Sequence, residues 1–155
     1  MKYEIFERPE IHYIGLKLEV NLNSIEKSNI GGLWSDLFKE EDQLNIDRSS
    51  ECIGLEKYND DTMKTGIFDY YALAPSTKMT DDEGYYSYVT LPASKYVKFP
   101  VNFKELGPKK FQEVYKYIKE NKINVDYSFD MELYPLDFNP EDENAEMFIM
   151  FKLNE

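Results

Sequence analysis

The order strand, helix, strand, strand occurs twice along this chain, and that repeat restricts the fold more than any other feature. With Tyr13 and Tyr96 as entry-strand markers, Trp34 follows the first by 21 residues and Val114 follows the second by 18. Leu55 lies 21 beyond Trp34, and Leu133 lies 19 beyond Val114; Leu55 to Tyr70 and Leu133 to Phe148 are both 15 apart. Two copies of one unit predict an α+β fold of tandem strand-helix-strand-strand repeats with pseudo-twofold symmetry. Two helices then lie on a largely antiparallel sheet with a central groove between the halves. The repeats fall at about residues 1–78 and 84–155 of a single domain, because 155 residues leave little room for a second core. In this register Glu132 stands opposite Gly54. A carboxylate facing a residue without a side chain leaves space for a ligand.

Helical period is plain in two places. In NIGGLWSDLFKEE the apolar residues Ile30, Leu33, Trp34, Leu37 and Phe38 form one stripe, with Ser28 or Asn29 available as a cap. In GPKKFQEVYKYIKEN the stripe is Phe111, Val114, Tyr115 and Ile118, Pro108 suits a first helical position, and Asn121 suits an end. Strands are predicted over 11–20, 52–58, 66–74, 85–91, 95–103, 131–136 and 146–153, from their β-branched and aromatic content. Between them NDDTMKT, STKMTDDEG and NPEDENA read as solvated loops.

Charge and cysteine content then exclude whole classes of function. Thirty acidic against 18 basic side chains give a formal charge of −12, with no basic cluster larger than Lys109-Lys110, so direct nucleic-acid binding is not expected. The same acidity concentrates cations near the surface and favours a positively charged ligand. A lone cysteine, Cys52, precludes an internal disulfide; no run of about 18 apolar residues predicts a membrane span, and KYEIFERPE after Met1 lacks a signal-peptide core. A cytoplasmic protein is the expectation. His12 has no second histidine to share a metal, Gly31-Gly32 lacks the following lysine of a phosphate loop, and Asp142 and Phe148 occupy the glycine and glutamate positions of a calcium loop. Neither a metal nor a cofactor is expected.

The informative segment is FDMELYPLDF, Phe129 to Phe138. Strand alternation puts Glu132 on one face with Tyr134 and Leu136, and Met131 with Leu133 on the other. An acid among apolar strand residues either faces water beside a lysine or is a polar point in an aromatic surface.

Six segments stand out: LPASKYVKF (Leu91 to Phe99), Leu106-Gly107-Pro108, MELY (Met131 to Tyr134) and AEMFIMFKL (Ala145 to Leu153), with IGGLW (Ile30 to Trp34) and IFDYYALAP (Ile67 to Pro75) in the first half. In these the sequence resembles the GyrI-like small-molecule-binding family, which also supplies the effector-binding domain of AraC-type and multidrug-responsive MerR-type regulators. The resemblance covers nearly the whole chain. It implies a groove for bulky, often cationic aromatic compounds such as drugs and dyes, a glutamate near the pseudo-twofold axis, and aromatic walls. Glu132 takes the place of that glutamate, and Trp34 sits where the first helix of the family commonly carries an aromatic. In contrast to those regulators, a free-standing domain without a DNA-binding segment is the expectation.

The candidate ligand-binding residues are therefore Glu132, Trp34, Tyr71, Tyr134, Phe38 and Phe148. Trp34 equally suits core packing, Tyr71 is preferred over Tyr70 by alternation, and Phe148 equally suits a place beneath a helix. Buried without a partner, a carboxylate loses solvation worth several kcal/mol, which an arriving cation restores. Aromatic faces add about 0.5–2 kcal/mol each through cation–π attraction. Two other readings stand beside this multidrug-binding one. One is a hydrolase of reactive electrophiles in which Glu132 activates water. The other is a module that binds another protein, such as a topoisomerase, through the acidic loops at Asp81-Asp82-Glu83 and Glu141-Asp142-Glu143.

Overall fold

The fold is seen in a computed structural model that describes residues 1–77 and 85–154. The acidic stretch Asp81-Asp82-Glu83 lies outside the described residues. In chain order the elements are β1 (Glu4–Arg8), β2 (Ile11–Asn21), α1 (Ile30–Lys39), α2 (Glu41–Leu44), β3 (Cys52–Lys57), α3 (Thr62–Thr65) and β4 (Ile67–Pro75). There follow β5 (Ser87–Leu91), β6 (Ser94–Asn102), α4 (Pro108–Glu120), β7 (Phe129–Tyr134) and β8 (Glu146–Lys152).

All eight strands form one antiparallel sheet in the order β1-β6-β8-β7-β3-β4-β2-β5. The repeat is legible in that order. From the β7–β3 seam outward, one half runs β7, β8, β6 and the other β3, β4, β2, so the two units meet through their middle strands. Glu132 pairs with Gly54 across the seam, as the spacing predicts.

The sheet curls. Arg8 on the β1 edge donates from Nη2 to the hydroxyl of Tyr13 on β2, at 3.0 Å, although β2 lies next to the opposite edge. Within the curl, Tyr13, Leu55, Leu73, Tyr96, Met131 and Met150 form one buried cluster on the helix-free face. The other face carries two clusters, one under α1 with Leu37, Ile14 and Ala72, the other under α4 with Val114, Ile118 and Phe151. The helices thus cover the two halves of the outer face and leave the seam between them.

Local chemistry explains most boundaries. Asn29 caps α1 by accepting from the amide of Gly32, Pro108 opens α4, and Asn121 closes it. Strand β7 runs from Phe129 to Tyr134, two residues earlier than the composition predicts, and stops before Pro135, which has no amide to donate. Pro100 is tolerated in β6 because it lies beyond Lys98, the last residue paired with β1, where β6 has a neighbour on one side only. Strand β1 and the single turns α2 and α3 went unpredicted. The charges of EIFER mask its alternation, and four-residue helices are too short to show a period.

Candidate ligand-binding site

Glu132 stands on the helix side of β7, on the seam, and is 7% exposed. Its Oε1 accepts two phenolic hydrogen bonds, from Tyr70 at 2.8 Å and from Tyr134 at 2.7 Å. The indole Nε1 of Trp34 donates to the Tyr70 hydroxyl at 3.0 Å, so α1, β4 and β7 are tied to one carboxylate. Burial, followed by the negative charge of Glu132, holds both phenols well above the ordinary tyrosine range and keeps them as donors. Among the described residues no lysine, arginine or histidine forms an ion pair with Glu132. Its charge is compensated by neutral donors alone.

Aromatic rings wall this point. Trp34 stacks on Phe38 with centroids 5.9 Å apart and meets Tyr134 edge-on at 5.6 Å. Tyr134 leads to Phe138 at 4.9 Å, and Phe138 to Phe103 at 5.0 Å. The guanidinium of Arg48, which is ion-paired with Glu41, lies 4.7 Å from the centroid of the Phe38 ring. Trp34, Phe38, Tyr134, Phe103 and Phe138 are all half-buried, as suits rings open to a visitor on one side.

Gly54 is needed where it stands. A methyl group there would lie 2.4 Å from the Tyr70 hydroxyl and 2.6 Å from Glu132 Oε1. The space left by the missing side chain is thus filled by the carboxylate and its tyrosine rather than by an open volume.

Two expected wall residues lie elsewhere. Tyr71 pairs with Leu55 and Phe148 with Leu133, so alternation turns both to the helix-free face, away from Glu132. Tyr71 lines a cavity of about 560 Å³ there, with Leu55, Leu91 and Phe129, and Phe148 packs inside the curl under Lys98 at 4.4 Å rather than beneath a helix. Tyr70, passed over in favour of Tyr71, is the tyrosine that meets the carboxylate. Its parity follows from Ala72, which pairs with Gly54.

The composition also conceals two further acids. Glu56, 5% exposed, pairs in register with Asp130, 0% exposed, on the same face of the seam. The Oδ2 of Asp130 accepts from Tyr58 at 2.7 Å and from Tyr115 of α4 by a short contact. Burial raises the carboxyls of both Glu56 and Asp130 above their ordinary ranges, with mutual repulsion and Glu132 adding to the rise at Glu56, whereas hydrogen bonds to Glu56, Tyr115 and Tyr58 pull Asp130 back. Three acids lie together without a cation, yet among the described residues no group is arranged to hold a metal ion. Cys52 pairs with Tyr134 at the rim, and burial pushes its thiol up to about 11, which leaves it protonated. His12 is exposed on β2.

Comparison with known proteins agrees with this fold. The chain matches the GyrI-like small molecule binding domain over residues 1–152. The structure of SAV2435 bound to tetraphenylphosphonium superposes with a TM-score of 0.72 at 23% identity, covering 99% of this chain and 94% of that one. For the EcmrR C-terminal domain the values are 0.71, 16%, 99% and 98%. An integron cassette protein of Vibrio cholerae gives 0.62, 18%, 98% and 95%. At these identities the likeness is one of fold. No curated protein sequence matches the chain.

Proposed function

The chain belongs to the GyrI-like small-molecule-binding family, and on that premise we propose that the helix side of its seam, between α1 and α4, binds bulky aromatic cations, with Glu132 as charge partner. One observation carries this reading: a carboxylate only 7% exposed, ringed by Trp34 and Tyr134, with no basic ion-pair partner among the described residues. Burying an ion costs several kcal/mol even after relaxation, and hydrogen bonds to a charged group return roughly 1.5–3 kcal/mol each. The two phenols offset much of that cost. A cation entering beside Glu132 adds direct charge pairing, and the rings of Trp34, Phe38 and Tyr134 supply stacking and cation–π attraction without demanding one hydrogen-bond pattern. Broad selectivity for flat or propeller-shaped lipophilic cations follows. Drug or dye sequestration is the corresponding role.

The test is a calorimetric titration with tetraphenylphosphonium, the ligand named with SAV2435, beside uncharged triphenylphosphine oxide. Binding of the cation by the wild type, weakened at least tenfold in Glu132→Gln, with the neutral compound indifferent to that change, supports the reading. Equal cation affinity in both proteins rejects it.

A hydrolase is the second reading, favoured by one feature: the Glu56 carboxyl, raised by burial, lies on the same face of the seam as Glu132, an acid beside a base. Turnover of an electrophilic substrate panel, abolished in Glu132→Gln, would establish it. Intact cation binding without turnover would dismiss it.

A further inference from the structure

Cation binding at Glu132 leaves the Glu56–Asp130 pair beneath it without a task. Glu56 and Asp130 are register partners on neighbouring strands, and Glu132 follows Asp130 by two residues on the same face. All three carboxyls are buried on this one face of the seam, and the charges of Asp130 and Glu132 both act on Glu56. Adjoining buried carboxyls do not all ionise together, so one of them carries a proton.

The donors show which one does. Asp130 already receives Tyr58 and Tyr115, and Glu132 receives Tyr70 and Tyr134. No phenol donates to Glu56 among the hydrogen bonds of this cluster, and its Oε2, like the Oδ1 of Asp130, is buried without a partner. Glu56 is therefore the one of the three that no phenol supplies, between two carboxyls that each receive two phenolic donors. The titratable groups facing it are Asp130, Glu132 and Tyr134 of β7, Tyr70 of β4, Tyr58 after β3 and Tyr115 of α4; α1 contributes Trp34, which does not titrate. Among the described residues none of the three acids has a basic ion-pair partner.

We propose that Glu56 is a further residue of the binding site, the acid whose proton is exchanged for the bound cation. This rests on the cation-binding reading. When the cation settles beside Glu132, the proton of Glu56 leaves through the Glu132 side of the groove to solvent. The cluster keeps the same net charge: two anions and a neutral acid before, three anions and one cation after. The positive charge of the bound ligand favours the ionised form of a neighbouring acid, so Glu56 gives up its proton more readily with the cation in place than without it. Affinity for a permanent cation then rises with pH, by up to about tenfold per unit while Glu56 gives up its proton on binding. Neutral ligands bind without that dependence.

The experiment is titration with tetraphenylphosphonium at one pH in phosphate and in Tris, whose ionisation enthalpies differ. The wild type should show unequal heats corresponding to release of up to one proton. Glu56→Gln, which keeps an amide donor at the same place, should bind with equal heats in both buffers and lose the pH dependence. Wild-type binding with equal heats overturns the proposal and leaves the cation-binding reading standing; affinity equal in wild type and Glu132→Gln, or no binding, overturns both. A second measurement needs no ligand. Infrared spectra of the wild type near neutral pH should show the carbonyl band of a protonated carboxyl that is missing in Glu56→Gln, and the same band in both proteins would overturn the assignment.

Discussion

Gly54 and Glu132 are register partners across the β3–β7 seam, and the absent side chain of one is the space occupied by the carboxylate of the other. The pairing joins the two repeats and positions the acid in one step. A residue with a Cβ at position 54 would displace Glu132 Oε1 and the Tyr70 hydroxyl together.

Gly54→Ala should therefore weaken tetraphenylphosphonium binding at least tenfold and destabilise the fold by roughly 1–3 kcal/mol, the usual range for overpacking. Gly31→Ala is the control. No atom lies within 4 Å of a Cβ there, so it should leave binding unchanged. Chemical denaturation beside a binding titration of the two variants checks both statements.

Tyr70→Phe and Tyr71→Phe separate the two faces of β4. The first removes a donor to Glu132 and the acceptor of the Trp34 indole, so cation affinity should change severalfold and the tryptophan emission should shift. The second alters only the helix-free face and should change neither. A binding change in Tyr71→Phe alone would contradict the assignment of faces.

Stability should fall with rising pH on account of Glu56. Its carboxyl is raised above the ordinary 4.5 by burial and by neighbouring acids, so the unfolded chain ionises it first. Below about pH 4.5 the group is protonated in both states and its contribution is whole. Above that, the contribution declines by up to about 1.4 kcal/mol per pH unit until the folded value is passed. Glu56→Gln removes the slope. The difference between wild-type and variant unfolding free energies, measured from pH 4 to 9, should widen with pH in favour of the variant and then level off.

Cys52 should react slowly with iodoacetamide at pH 7 and faster as pH rises toward the value near 11 to which burial pushes its thiol. Rapid labelling of the native protein at pH 7, followed by mass, would show the thiol to be more exposed than its place in β3 implies. Unfolded chain supplies the reference rate.

How far the residues could be read in advance differs from site to site. The Gly54–Glu132 pairing was available from the two spacings of 15, because a repeated unit fixes its own register. Trp34 lay on a helical stripe that served core and groove equally well, and only the direction of α1 across the sheet brings its indole to Tyr70. The choice between Tyr70 and Tyr71 turned on one residue of register, which inverts every side chain of a strand. Glu56 and Asp130 stand in strands where alternation alone assigns an acid to water. Burial of their face depends on α1 and α4, contributed by segments far along the chain.

Taken alone, the amino-acid order determined the α+β repeat, the two amphipathic helices and the acid near their axis, because periodicity and spacing are local quantities that survive without coordinates. Which tyrosines meet that acid, and that two more carboxyls are buried beneath it, were decided only when the sheet curled and both helices settled on its outer face. Burial and charge are properties of what surrounds a group in space, and most of those surroundings come from elsewhere in the chain.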